Sequence, residues 1–336
     1  MLRIPFEELR SRLERILLQH GFTADRAAAC ARMFAETSRD GVYSHGLNRF
    51  PVFVSLIQSG IVRPDAEPEL VDAMGPIERW DGRLGPGNLN ATFAMGRAIT
   101  LAKQHGLGLV ALRNTNHWMR AGSYGWQAAE AGCIGICWTN TMPNMPAWGG
   151  RDSKLGNNPL VLSVPRERGP IVLDIAMSQY SYGKLHTYIL NEEQLPFDGG
   201  YDEDGRLTRD PAAITKSRRP LPIGYWKGSG LSLMLDLIAV LLSGGLSTME
   251  VGRLPNAKEY ALSQVFLAID CGRLPDRGEL QARVEAILDD LHQSLPVDES
   301  SGRVRYPGEG VLKTRAANLE HGIPVDESIW KQVLDM

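Results

Sequence analysis

A strand–helix–strand pattern in the first half of the chain restricts its fold more than any other feature. Residues 107–112 and 133–139 form apolar runs typical of strands, and residues 121–131 favour a helix between them. Polar residues follow both strands, at the edge where ligands usually bind in α/β proteins, because loops there vary while the sheet holds them in place. We therefore expect an α/β domain in which His117 and Thr141 lie on one rim of the sheet.

The same region lacks the glycine fingerprint of a standard dinucleotide-binding fold. Gly106-Leu107-Gly108 is followed by further apolar strand residues and not by the start of a helix. Additional strands are predicted for residues 160–164, 171–175 and 262–269. The sequence therefore favours an α/β sheet other than a Rossmann domain.

The N-terminal part of the chain has a helical pattern. Residues 1–60 carry the apolar spacing of three short helices, and we expect them to form a small unit beside a main α/β domain of residues 61–336. Residues 61–88 are rich in Pro, Gly and Asp, which predicts connecting structure with one short strand at most. Residues 231–242 predict a buried core helix, shorter than the ~20 apolar residues that cross a bilayer.

A histidine and an arginine four residues apart stand near the end of the helical unit. The apolar spacing from Phe50 onward predicts a helix, with His45 in the turn before it and Arg49 in its first turn. A guanidinium can hold a carboxylate from two sides, and an imidazole can exchange a proton near neutral pH. The alternative is that Ser44 and His45 only cap the helix while Arg49 points to solvent. A functional site here would have to lie between the helical unit and another part of the chain.

Charge and cysteine usage argue against several kinds of partner. The 336 residues include 36 basic and 39 acidic side chains, for a formal net charge of -3, so no nucleic acid partner is expected. Four scattered cysteines indicate reduced thiols, and Cys133 and Cys137 suit buried strand positions better than a zinc site, so no metal is predicted. The charged N-terminus does not resemble a signal peptide. We expect a cytoplasmic protein with no membrane partner.

Five short motifs follow one another along the chain. They are Tyr43-Ser44-His45-Gly46-x-x-Arg49, Arg113-Asn114-x-Asn116-His117, Ser123-Tyr124-Gly125, Thr139-Asn140 and Gly228-x-Gly230. In this order and at these separations, the chain resembles the type-2 malate/L-lactate dehydrogenase family over nearly its whole length. The resemblance implies a non-Rossmann α/β fold, with a mixed sheet covered by helices and a small N-terminal three-helix unit. It also implies a homodimer with the cofactor near the subunit boundary.

The resemblance implies a function as well. The chain would be an NAD(P)-dependent oxidoreductase that uses NADH, with NADPH as the alternative, to reduce the ketone of a small-molecule 2-oxo (diketo) sugar acid. His45 stands at the family's proton-donor position, Arg49 would hold the substrate carboxylate, and His117 and Thr141 would orient the carbonyl or hydroxyl groups. The implied cofactor-binding residues are Pro170, Ile171, Val172, Leu173, Asp174, Ile175, Ala176, Trp226, Lys227, Gly308, Glu309 and Gly310.

Other interpretations stay open at this point. Within the family, malate, lactate or a cyclic imine is the alternative substrate. Outside it, the chain would be a binding protein or a hydrolase that has a pocket but no redox chemistry. A hydrolase would use Ser123, but a nucleophile elbow needs a strand that ends at the serine, and a polar and aromatic stretch intervenes here. For His117, the alternative is a loop histidine bonded to a nearby carbonyl.

Overall fold

Helices form the N-terminal part of the chain and cover both faces of a central sheet. A computed structural model describes residues 2–255, 258–297 and 302–336. The helices in these residues are α1 (Phe6–Gln19), α2 (Ala24–Arg39), α3 (Phe50–Gln58), α4 (Gly87–His105), α5 (Gly122–Glu130), α6 (Tyr182–Leu190), α7 (Pro211–Ser217), α8 (Trp226–Ser243), α9 (Thr248–Val251), α10 (Arg277–His292), α11 (Glu309–His321) and α12 (Glu327–Leu334).

Seven strands form one mixed sheet at the centre of the molecule. The strands of the described residues are β1 (Arg3–Ile4), β2 (Glu69–Met74), β3 (Ile77–Asp81), β4 (Leu107–Thr115), β5 (Cys133–Thr139), β6 (Met145–Pro146), β7 (Ser153–Leu155), β8 (Leu160–Val164), β9 (Ile171–Ile175), β10 (Gly200–Tyr201), β11 (Leu207–Thr208), β12 (Leu262–Asp270) and β13 (Ile323–Pro324). The central sheet has the order β2-β3-β4-β12-β5-β8-β9, in which β3 and β4 are parallel and the other neighbours antiparallel. The predicted non-Rossmann mixed sheet is therefore confirmed.

Strand direction brings several segments to one edge of this sheet. β4 and β5 both run antiparallel to β12, so they are parallel to each other and the residues that follow them emerge together. β9 is antiparallel to β8, which is antiparallel to β5, so β9 ends at the same edge. β12 begins there, because its first residue, Leu262, pairs with Thr115 at the end of β4. We call this edge the sheet rim.

Apolar side chains hold helices against both faces of the sheet. α4 and α5 share one buried cluster with residues such as Phe266 of β12. α8 packs on the opposite face through Leu235 and Ala239. Gly108 of β4 allows close contact with α4, because a Cβ atom there would lie 2.1 Å from the carbonyl oxygen of Ala98. The sheet is thus buried on both sides and gives the rim a rigid base.

The three predicted N-terminal helices are confirmed as α1, α2 and α3. They share an apolar cluster around residues such as Leu13, Phe34 and Phe53. α12 enters the same cluster through Trp330 and Val333, and β13 pairs with β1, so the two ends of the chain meet here. The proposed division of the chain at residue 60 stays a prediction.

The prediction for residues 61–88 is wrong. These residues contain the hairpin of β2 and β3, not one short strand at most. All six residues of β2 are exposed, because β2 is an edge strand of the sheet. An edge strand without a buried face shows no apolar alternation, so the Pro and Gly residues around it dominated the sequence pattern.

The description of residues 231–242 as a buried core helix is also wrong. α8 begins earlier, at Trp226, and six of its large apolar side chains are exposed: Trp226, Leu231, Leu233, Met234, Leu237 and Leu241. By length and composition alone this 18-residue helix could cross a membrane. A helix that is apolar all round gives no sequence signal for burial on one side only.

Candidate functional site

A cavity of about 420 Å³ lies at the sheet rim, where the N-terminal helical unit faces the sheet. Six of the residues singled out from the sequence line it: His45, Arg49, His117, Thr141, Asp174 and Ala176. They come from the segment before α3 and from the ends of β4, β5 and β9. The alternative in which Arg49 points to solvent and the histidine only caps α3 does not describe this arrangement.

A short helical turn before α3 fixes His45. The Leu47 N–H donates to the Ser38 hydroxyl at 2.8 Å, and Gly46 is required there because a Cβ atom would lie 2.2 Å from that oxygen. The hydroxyl of Ser44 lies 3.0 Å from Nδ1 of His45. This leaves the opposite ring nitrogen of His45 available for proton exchange.

His117 stacks against His45. The two ring centroids are 5.9 Å apart and the ring planes differ by 19°. Nδ1 of His117 accepts the Met119 N–H at 3.0 Å, so a neutral His117 carries its proton on Nε2. The predicted alternative, a bond to a nearby carbonyl, is therefore replaced by a bond from a backbone amide. Asn116 holds the loop through its amide, which donates to the Leu84 carbonyl at 2.8 Å.

Both histidines are held in the neutral form. Burial, together with the positive charges of Arg49 and Arg120, lowers the pKa of His45 to about 4. Burial also holds the pKa of His117 well below its ordinary value, with Arg49 and His45 contributing. At neutral pH the cavity therefore contains two uncharged imidazoles.

Two guanidinium groups, one of them that of Arg49, and two acidic groups also line the cavity. Among the described residues, no carboxylate pairs with the Arg49 guanidinium. Asp174 accepts the Gly122 N–H at 2.7 Å and Glu259 accepts the Met142 N–H at 3.0 Å. Enclosure by protein raises the pKa of both carboxyl groups. The unpaired guanidinium is the feature that suits an anionic ligand.

Thr141 is buried in a network of asparagines. Its N–H donates to the Asn158 side-chain oxygen at 3.0 Å, and its hydroxyl lies 3.3 Å from the Asn157 side-chain oxygen. Tyr182 closes the same side of the cavity, where its hydroxyl donates to the Asn144 carbonyl at 3.0 Å. This wall is therefore polar but already hydrogen-bonded.

A second cavity of about 510 Å³ adjoins the first, because Asp174, Ala176 and Ser181 line both. Ile175 lines the second one, together with Ile223 and Gly224. The remaining predicted cofactor residues line neither of these two cavities: Pro170, Ile171, Val172, Leu173, Trp226, Lys227, Gly308, Glu309 and Gly310.

Some of those remaining residues lie on β9 or beside it. The Val172 N–H donates to the Pro307 carbonyl at 3.3 Å, which places Gly308 against the outer edge of β9. Trp226 and Lys227 begin α8 two residues after Gly224 and are exposed. Glu309 is occupied, since its carboxylate lies 3.1 Å from Nε2 of His292. The first and third predicted cofactor segments thus meet at β9, and the second follows Gly224 of the second cavity.

Sequence reasoning missed Arg120 and Asp40. Arg120 lines the cavity, and one of its N–H groups donates to Asp40 at 2.7 Å across 80 residues of chain. No short-range pattern could have shown this pair. The one signal in the sequence is that Arg120 lies three residues after His117, in the loop between β4 and α5, which we call the rim loop.

The cavity combines an imidazole that can exchange a proton with a free guanidinium, and a second cavity adjoins it at the end of β9. This arrangement suits an oxidoreductase that acts on a small molecule with a carboxylate. Comparison with known proteins gives the class. Residues 4–334 match the family described as malate/L-lactate dehydrogenase. The chain belongs to this family of oxidoreductases, which implies a nicotinamide cofactor.

Individual members of the family are similar to this chain over nearly its whole length. The 2,3-diketo-L-gulonate reductase of Citrobacter koseri is 48% identical over 333 residues, which cover 99% of each chain. The malate dehydrogenase of Entamoeba histolytica has the same fold, with a TM-score of 0.93 at 24% identity over 99% of this chain and 96% of that one. The delta1-piperideine-2-carboxylate reductase of Pseudomonas syringae pvar. tomato gives a TM-score of 0.86 at 29% identity, covering 100% and 99%.

Proposed function

We propose that this chain is an NAD(P)H-dependent reductase of 2,3-diketo-L-gulonate with His45 as the proton donor. The substrate is proposed from the Citrobacter koseri relative, which carries that name and matches this chain end to end. The catalytic role is supported by one observation. His45, Arg49 and His117 line the same cavity as Asp174 and Ala176 of the predicted cofactor segment.

Reduction of a ketone needs a hydride, which bound nicotinamide supplies, and a proton for the oxygen that becomes an alkoxide. Arg49 would hold the substrate carboxylate with its two-pronged guanidinium. His45 would then donate the proton to the carbonyl oxygen. His117 would bond that oxygen or a neighbouring one through Nε2–H, because its Nδ1 is occupied by the Met119 amide. Thr141 would contact substrate hydroxyl groups from the asparagine wall.

The protonation state of His45 follows from the charges around it. In the free protein its pKa is about 4, because of burial and the nearby Arg49 and Arg120. A substrate carboxylate bound to Arg49 offsets one of these positive charges and raises the pKa of His45. Substrate binding would therefore be coupled to proton uptake. In the reverse direction, the neutral imidazole is already the base that alcohol oxidation needs.

The residues along β9 fit a dinucleotide. The two adjoining cavities both lie against Asp174 and Ala176, and the exposed Lys227 lies in the first turn of α8. A lysine at a helix N-terminus favours an anionic group such as a diphosphate. We propose NAD as the cofactor, with NADP as the alternative, and we propose Gly308, Glu309, Gly310 and the remaining predicted segment residues as its contacts.

We also propose a homodimer, which the exposed apolar face of α8 supports. Leu241 is 80% exposed, and five other large apolar residues of α8 are exposed in the single chain. A contiguous apolar face of this kind on a helix is typical of a protein interface. The chain has a formal net charge of -3, and its four cysteines are free. We propose a cytoplasmic enzyme that needs neither a membrane nor a nucleic acid.

A substrate panel tests the proposed function. Consumption of NADH or NADPH is measured by near-ultraviolet absorbance with 2,3-diketo-L-gulonate, oxaloacetate, pyruvate and a cyclic imino acid. We expect the highest kcat/KM with diketogulonate. A clear preference for the imino acid would favour the alternative suggested by the Pseudomonas syringae relative. No reduction of any of the four would favour a binding protein or a hydrolase.

A further inference from the structure

We infer that Arg120, held in place by Asp40, determines specificity by bonding the oxygen atoms of the substrate chain that lie beyond its carboxylate and ketone. This inference rests on the proposed function. Arg120 lines the catalytic cavity, and its side chain is 6% exposed. Among the described residues, Asp40 is the one acceptor of its guanidinium, at 2.7 Å. A guanidinium carries five N–H donors, so most of those of Arg120 are left for a ligand.

Asp40 cannot neutralise Arg120, because it is shared among three guanidinium groups. Arg315 bonds both of its oxygens at 2.8 Å, and Arg39 bonds one of them at 2.9 Å. The Asp40 side chain is 2% exposed. A carboxylate fixed from three directions has one orientation, and it therefore holds the Arg120 fork rigidly at the cavity wall.

Arg49 and Arg120 reach the cavity from different segments. Arg49 lies in the turn before α3, whereas Arg120 lies two residues before Gly122, whose N–H donates to Asp174 at 2.7 Å. One guanidinium is sufficient for the carboxylate of a 2-oxo acid. The second can bond oxygens farther along the substrate.

The groups around Arg120 favour uncharged oxygen atoms on the substrate. A three-carbon substrate such as pyruvate has no oxygen for the free N–H donors of Arg120, so a longer substrate gains more from this arginine. A second carboxylate on the substrate would meet the carboxyl group of Asp174 on the same side. Hydroxyl or carbonyl oxygens can accept from Arg120 without that repulsion. The matching ligand is a long acid rich in hydroxyl groups.

The test replaces Arg120 with methionine and compares long and short ligands. We expect Arg120→Met to lower kcat/KM for 2,3-diketo-L-gulonate relative to pyruvate by about tenfold to a hundredfold, the usual effect of losing a charged hydrogen bond. Arg120→Lys, which keeps the charge but not the fork, should lose part of this ratio. Arg39→Met is the matched control. It also removes one bond to Asp40, but Arg39 does not line the catalytic cavity, so the ratio should be kept.

Calorimetric binding of L-gulonate and L-lactate to the same variants separates this inference from the proposed function. If the wild type reduces no 2-oxo acid, the proposed function fails, and the ratio of the two affinities still decides the role of Arg120. If Arg120→Met lowered the affinity for long and short ligands equally, the inference would be overturned. A larger loss of kcat/KM for oxaloacetate than for diketogulonate would also overturn it, because Arg120 would then bind a second carboxylate.

Discussion

His45 and His117 are stacked imidazoles that stay uncharged at neutral pH, and the charges responsible can be removed one at a time. Removal of the Arg49 charge should raise the pKa of His45 above about 4, because a nearby cation disfavours the imidazolium. Burial remains in Arg49→Met, so the pKa should stay below its ordinary value of 6.5. NMR titration of the His45 ring measures this shift. An unchanged or lower pKa would show that Arg49 does not face the imidazole.

Asp40 is a buried carboxylate whose loss should be costly. Burial alone would raise its pKa, but the hydrogen bonds from Arg315, Arg39 and Arg120 lower it to about 2. Because this folded-state pKa lies below the ordinary 3.8, the stabilisation is fully present above pH 3.8 and is lost as the pH falls towards 2. The difference corresponds to about 2 kcal/mol.

Asp40→Asn should therefore lower the free energy of unfolding by about 3 kcal/mol at neutral pH, because three guanidinium groups lose their shared charge. Chemical denaturation measures this difference. Asp152→Asn is the control, since Asp152 pairs with Lys154 at 3.1 Å on an exposed surface, and it should leave the denaturation midpoint unchanged. Equal effects of the two changes would contradict the account of Asp40.

At the scale of elements, the turn that connects to α11 depends on one glycine. Gly308 has a φ of +84°, and a Cβ atom there would lie 3.1 Å from the Val172 carbonyl oxygen of β9. Gly308→Ala should destabilise the protein by about 1–2 kcal/mol and weaken cofactor binding, because both the backbone conformation and the contact with β9 become strained.

Gly278→Ala is the matched control for this prediction. Gly278 lies in the first turn of α10, outside the proposed cofactor segments, and an added Cβ would meet no atom within 4 Å. Alanine should be tolerated there without loss of stability. Thermal unfolding and NADH titration compare the two variants. If Gly308→Ala behaves like Gly278→Ala, the turn does not fix the cofactor segment.

At the scale of the whole molecule, α8 should form part of a subunit interface. Leu237→Lys combined with Leu241→Lys should convert the proposed dimer into a monomer, because charged residues oppose burial of an apolar helix face. Light scattering after size-exclusion chromatography gives the mass. Leu207→Lys, on the separate β11 ribbon, is the control and should stay dimeric. A dimer in the double variant would place the interface elsewhere.

The sequence predicted the elements that carry periodic apolar residues. The strands over residues 133–139, 160–164 and 171–175 have the predicted bounds, because each is an apolar run between clear turns. The hairpin before α4 was missed because its edge strand has no buried face. The one-sided burial of α8 was missed because burial depends on neighbours that the helix's own residues do not reveal.

The candidate site was predictable to a similar extent. His45 and Arg49 were found from their residue types and spacing, and they do line one cavity with His117 and Thr141. Strand direction explains why these side chains meet. Two strands antiparallel to β12 deliver the residues after them to one edge. The Arg120–Asp40 pair could not be predicted, because its partners meet only through packing of α2 against the rim loop.

The direct test of the central claim is the reduction of 2,3-diketo-L-gulonate by the wild type and by His45→Asn, with NADH affinity measured in parallel. We predict that His45→Asn lowers kcat by about 10²–10⁴ while the NADH dissociation constant stays within about twofold, because a positioned acid contributes that much to the rate. Near-normal reduction by His45→Asn would contradict the assignment of His45 as the proton donor.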